Sequence, residues 1–232
     1  MLESSEVAIM SAYRFPSARA MQVLGILLLG SITAQAQVTN FVDDFDGPTL
    51  DAGWTLEQPT NHVGFTGTGL YEMEAPDEIA PTNSASLSRS LWATNEDFTV
   101  DLTYQFDDTT GQNADYKFRF WGPGFLMEIV ANPQTDNVRV FLAELGQNIG
   151  NASVALGDGD ILNLRLNYDA SAGAVKVGYS KAADPLILLG AATGLTGFNV
   201  NRVDINITGN SFAPCPPFCW VPRILLDRFE IH

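Results

Sequence analysis

Residues 98–106, FTVDLTYQF, alternate without a break. Phe98, Val100, Leu102, Tyr104 and Phe106 fall on one side, and Thr99, Asp101, Thr103 and Gln105 on the other. Successive side chains of an extended chain point to opposite faces, so the segment predicts a strand with one buried and one wet face. After the linker DDTTGQNAD the pattern returns, with Tyr116, Phe118 and Phe120 inward and Lys117, Arg119 and Trp121 outward. A third strand, FLMEIV, follows the Gly122-Pro123-Gly124 turn and carries the acid Glu128. A tryptophan beside two cations is an unusual outward trio for a face that only meets water, and exposed aromatics of this kind are enriched at interaction surfaces.

The rest of the chain keeps the same period. VTNFVDDF, residues 54–56, LYEMEA and SASLSRSL read as further strands, the last as an edge strand because it is built from serines, with Arg89 on its apolar side. Beyond the central stretch come VRVFLAE, the hairpin LNLRLNYDASAGAVKVGYS, NVNRVDINITG and the closing ILLDRFEIH. Residues 182–196 are weakly patterned and fit a short helix or an edge strand. Ten to twelve short strands at turn-punctuated spacing predict an all-β, two-sheet antiparallel sandwich. The inter-strand linker at 107–115 lacks the terminal bidentate Glu of a helix–loop–helix calcium site, so it reads as solvated.

Residues 1–36 read as a secretory signal peptide: Arg14 and Arg19, then the apolar run VLGILLLGSI, then Ala34 and Ala36 flanking the cleavage position. The apolar run is shorter than the roughly 20 residues that span a bilayer, which disfavours an uncleaved anchor. The mature chain is then expected to begin at Gln37, to comprise one domain over 37–232, and to be secreted, extracellular or periplasmic, with no further membrane span. A net charge of −15 argues against nucleic acid as a partner, because phosphates would be repelled. In an oxidising compartment Cys215 and Cys219 are expected to form a disulfide; with two histidines in the whole chain, a metal site built on these thiols lacks further ligands.

VDDFDGPTLDAGW near the start and LLDRFEI at the end resemble the terminal strands of concanavalin A-like (lectin/glucanase) jelly rolls, laminarinase-type glycoside hydrolases among them. The 162–180 hairpin resembles that of laminin-G-like domains. The resemblance implies a jelly-roll sandwich whose concave sheet carries a sugar groove, with FLMEIV in the position of its central strand. It also implies a structural calcium ion held by Asp44 and Asp227. Retaining glycosidases need two carboxyl groups a few ångströms apart, and the family's paired-acid phrase is missing here. Glu128 shares its face with Leu126 and Val130; Glu72 and Glu74 share a face in another part of the chain; the Gln-x-His phrase of alginate lyases is absent. The expectation is therefore a carbohydrate-binding, lectin-like domain, non-catalytic or catalytically degenerate, monomeric, and contacting a polysaccharide or glycan through Lys117, Arg119, Trp121 and Glu128. Trp121 would stack on a pyranose ring while Arg119 and Lys117 favour a uronic or sulfated sugar. Two alternatives stay open: a hydrolase or lyase of the same fold using Glu128 and a second acid, and an extracellular structural or adhesive domain.

Overall fold

The computed structural model describes residues 40–57, 63–66, 69–74, 84–91, 96–107, 109, 113–123, 125–195, 200–211 and 222–232. The expected leader, Gln37 and both cysteines lie outside the described residues.

Most of what is described is strand. Five short strands come first: β1 (Phe41–Asp43), β2 (Trp54–Glu57), β3 (Val63–Phe65), β4 (Tyr71–Glu74) and β5 (Ser84–Ser90). The middle of the chain supplies β6 (Phe98–Asp107), β7 (Asn113–Gly122), β8 (Phe125–Asn132), β9 (Asn137–Leu142) and β10 (Gln147–Ser153). It continues with β11 (Ile161–Asp169), β12 (Ala174–Lys181) and β13 (Ile187–Ala192), and β14 (Arg202–Ser211) and β15 (Arg223–Ile231) follow. The hydrogen-bonded order is β2-β5-β14-β7-β8-β9-β10-β13-β12-β11-β6-β15-β4-β3, with β1 beside β15.

So long a ribbon must curl, and its aromatic residues show how. Phe106 of β6 meets Tyr116 of β7 edge-on at 5.0 Å, and Phe118 of β7 meets Phe229 of β15 at 6.2 Å, although these strands lie far apart in the ribbon. Two layers therefore face each other, one centred on β7 and the other on β6, as a jelly-roll sandwich requires. Both fill the space between them through alternation. In β6 every second residue from Phe98 to Phe106 is buried, and in β7 Tyr116, Phe118 and Phe120 are buried opposite. In β15 a register shift between Leu226 and Arg228 inserts Asp227 as an extra residue, so the inward set changes from Ile224 and Leu226 to Phe229 and Ile231.

The layers are joined along one side by a single bridge, Gly150 of β10 to Gly190 of β13. A Cβ on Gly150 would lie 2.2 Å from the Leu189 carbonyl oxygen, and one on Gly190 would lie 2.8 Å from the Ile149 oxygen. Only glycine lets two backbones cross this closely.

The terminal phrase that carries the resemblance is a structural clasp. Trp54 Nε1 donates to Asp43 at 2.7 Å, and Arg89, the cation on the apolar side of β5, lies over the Phe41 ring at 3.4 Å. Its Nη1 pairs with Asp51 at 2.9 Å. Gly53 makes room for that guanidinium, since a Cβ there would lie 2.1 Å from Nη1.

Several expectations are corrected. β5 is internal, between β2 and β14, and its serines suit it because Ser86 and Ser88 are themselves buried. Residues 182–196 contain strand β13, which is paired on both sides. Two strands lie in segments without a strand pattern: β3 in the Gly- and Thr-rich 62–69, and β10 in QNIGNAS, poor in β-formers and held extended by its neighbours β9 and β13.

Candidate functional site

The outward face of the β7 layer gathers the residues singled out by alternation. Register places Asp204 of β14, Arg119 of β7, Glu128 of β8 and Phe141 of β9 in one row across four strands. A neighbouring row runs Asn206, Lys117, Val130, Arg139, and the one on the other side runs Arg202, Trp121, Leu126. Lys117, Arg119, Trp121 and Glu128 are thus brought together on one surface, all four partly exposed.

Their polar groups are tied to one another. Arg119 Nε donates to Glu128 Oε2 at 2.6 Å. Trp121 Nε1 donates to Asp204 Oδ2 at 2.5 Å, and Arg202 Nε donates to Asp204 Oδ1 at 2.6 Å. Asp115 draws Lys117 at 3.9 Å and Arg139 at 3.6 Å, and accepts from Asn132 Nδ2 at 2.9 Å. Burial pushes the Lys117 ammonium below the ordinary lysine value, with the carboxylate of Glu128 the largest influence in the opposite direction. Along these rows four cations (Lys117, Arg119, Arg139, Arg202) are interleaved with three carboxylates (Asp115, Glu128, Asp204), in a chain whose overall charge is −15. An anionic ligand would find guanidinium and ammonium donors here despite the negative charge of the whole molecule.

Asp204, Arg202, Arg139 and Phe141 were missed by sequence reasoning. VRVFLAE and NVNRVDINITG alternate well enough to give the outward parity of each. Which strands neighbour β7 is the information that the alternation lacks.

As a hydrolase centre the face is poorly arranged. Glu128 and Asp204 stand on strands separated by β7, about 10 Å apart at two strand spacings, with Arg119 between them. Both already accept charge-assisted hydrogen bonds from fixed donors. The second pair noted in the sequence, Glu72 and Glu74, lies in β4 of the other layer, where Glu72 pairs with Arg223 at 3.4 Å.

The two acids expected to hold calcium lie where the first and last strands pair. Asp44 accepts from Arg228 Nη1 at 3.1 Å, so a guanidinium stands against it, and Asp227 is exposed at the β15 bulge. Among the described residues the carboxylates and imidazole that do cluster are those of Asp101, Glu230 and His232, with ligand atoms within 4.8 Å of one another. Two of these also serve arginines: Asp101 pairs with Arg165, and Glu230 with Arg228.

No protein-family model matches the chain, and no curated protein does. Solved structures share its fold. A family 16 glycosyl hydrolase from Mycobacterium smegmatis superposes with a TM-score of 0.58 at 16% identity, over 83% of this chain and 99% of that one. Basic winged bean lectin with Tn-antigen gives 0.56 at 10% identity, over 84% and 99%. The GH43 BlXynB protein from Bacillus licheniformis gives 0.56 at 12% identity over 82% of this chain, which spans 38% of that protein's length. The fold is that of the concanavalin A-like jelly rolls, in which lectins and glycosyl hydrolases both occur.

Proposed function

We propose that the β7-layer face binds an anionic polysaccharide, uronic or sulfated, without cleaving it. The observation that carries this reading is the combination of Trp121 with four cations on one surface where Asp115, Glu128 and Asp204 are engaged by those cations or by the indole. The ring of Trp121, its nitrogen anchored on Asp204, offers a pyranose a fixed apolar plate, and Arg119, Arg202 and Lys117 surround it with donors. Secretion after cleavage before Gln37 and a Cys215–Cys219 disulfide belong to the same reading. N-terminal sequencing and mass spectrometry of non-reduced peptides test them. Calcium at Asp44 and Asp227 belongs to it only if the ion displaces Arg228.

Isothermal titration with alginate, polygalacturonate and neutral laminarin tests the main claim, run beside reducing-sugar release from each. Binding to the anionic polymers should weaken with salt, and Trp121→Ala should cost about 1–2 kcal/mol, Glu128→Gln less. The rival reading, a hydrolase using Glu128 with Asp204 as the second acid, rests on their shared row. It prevails if sugar is released and Glu128→Gln abolishes the release while Trp121→Ala binds like the parent.

A further inference from the structure

The opposite layer holds a feature that the β7 face does not explain. On the outward side of β6, β11, β12 and β15 lies a groove of about 350 Å³, at the lower end of the size of small-ligand sites. Its floor is a hydrogen-bonded line of small polar side chains. Thr103 Oγ1 donates to Asn163 Oδ1 at 2.9 Å, and Asn163 Nδ2 donates to Ser180 Oγ at 3.2 Å and to the Ala182 carbonyl at 2.7 Å. One wall is Leu186, which leans over Gly178; a Cβ at 178 would lie 3.0 Å from its Cγ.

What remains unused in this groove defines its ligand. Ser180 is 7% exposed; its oxygen accepts from Asn163, and among the described residues its own proton is donated to no side chain. At the rim the Asp184 carboxylate has no side-chain partner among the described residues. The two arginines are committed, Arg165 to Asp101 through Nε and Nη2, and Arg228 to Glu230 and Asp44. A buried hydroxyl with a proton to give and a carboxylate with lone pairs to offer match a group that both accepts and donates. Asp101 is paired with Arg165 and Glu230 with Arg228, so these charges are spent on one another and, among the described residues, the groove offers no free cation for an anion. A neutral polyol needs none.

We propose that this groove is a second carbohydrate site, taking one neutral hexose unit through its hydroxyls, on the face opposite Trp121. The protein would then hold two chemically different glycans at once, an anionic chain on the β7 layer and a neutral residue on the β6 layer. Two sites on opposite faces of one rigid sandwich join two polymers, or two segments of one, rather than lengthening a single groove.

The experiment is an amide-resolved NMR titration of the isotope-labelled protein with D-glucose, D-galactose and D-mannose, carried to the millimolar concentrations that a single ring requires. The expected result is saturable shifts at 101–103, 163–165 and 178–186 for at least one sugar. Ser180→Ala and Asp184→Ala should each weaken that binding about three- to tenfold, the worth of one hydrogen bond, and Trp121→Ala should leave it unchanged. Asp184 is exposed, so its variant tests the site without threatening the fold. The proposal is overturned if no neutral sugar shifts these amides, or if the shifts persist in the double variant. It is also overturned if glucuronate or glucosamine produces the same shifts with equal affinity. Loss of polysaccharide binding by Trp121→Ala, with the hexose shifts intact, separates the two sites.

Discussion

Replacing Gly150 by alanine tests how the two layers are closed. The new methyl carbon would sit 2.2 Å from the Leu189 oxygen, 2.7 Å from the Leu189 carbonyl carbon and 2.8 Å from Gly190 Cα, all backbone atoms with no side-chain freedom to yield. Ordinary contact begins near 3.4 Å, so β10 and β13 must separate by about 1 Å at their only bridge, an overpacking that costs about 1–3 kcal/mol. Stiffening the unfolded chain returns about 0.4–1 kcal/mol, leaving a net loss of about 1–2 kcal/mol. For a domain near 200 residues this lowers the melting temperature by about 2–8 °C. Thermal melts and urea titrations would read it, with Gly157→Ala as the control, because the nearest atom there is 3.9 Å away. Gly190→Ala should also destabilise, and the double variant should lose less than the sum because one separation accommodates both methyls. If Gly150→Ala melts with the parent, the crossing is not a close backbone contact and the closure inferred from it is wrong.

Lys117→Met should melt at or above the parent temperature at pH 7 while weakening alginate binding, because burial opposes the ammonium that the ligand would use. Below the lowered folded value Lys117 is protonated in both folded and unfolded chains, so the cost is fully present there. It fades as pH rises through the lowered folded value toward the ordinary 10.5, and the gap in melting temperature should narrow over that window; a gap independent of pH would sink the reasoning. Trp121→Phe keeps an aromatic face but removes one donor from the buried Asp204, which should cost about 1–3 kcal/mol of stability, read by urea unfolding. Chelator should leave the melting temperature unchanged, because Arg228 already balances Asp44. Calcium at a hundredfold its dissociation constant would instead add about 2.7 kcal/mol if it displaced the guanidinium.

The parts of this fold that the sequence shows are those whose strands carry both faces in their own pattern. β6, β7 and the β11–β12 hairpin alternate so cleanly that parity alone gives the inward set, and with it the outward placing of Lys117, Arg119 and Trp121. β10 was hidden because its glycines and asparagines have little strand preference; its extension is imposed by the neighbours it pairs with. The serines of β5 suggested an edge because small polar residues are usually solvated, yet Ser86 and Ser88 are covered. At the candidate site, Asp204 stands beside Arg119 only because β14, more than eighty residues later in sequence, pairs with β7. The polar groove of the other layer was illegible for the same reason: its floor draws on β6, β11 and β12, and Leu186 reaches it from the turn that follows.

The pairing of the first strands dictates an order of assembly. β6 to β13 are paired among themselves, through β7-β8-β9-β10-β13-β12-β11-β6, and need no other strand to complete that path. β1 to β5 bond in-sheet only to one another and to β14 and β15. Residues 40–90, made first, therefore cannot take their places until residues 202–231 exist to receive them. Contacts so distant along the chain close loops of well over a hundred residues and fold slowly, in milliseconds to seconds. During synthesis this segment waits with the β1, β4 and β5 edges that β14 and β15 will pair still open, the state most prone to mispairing.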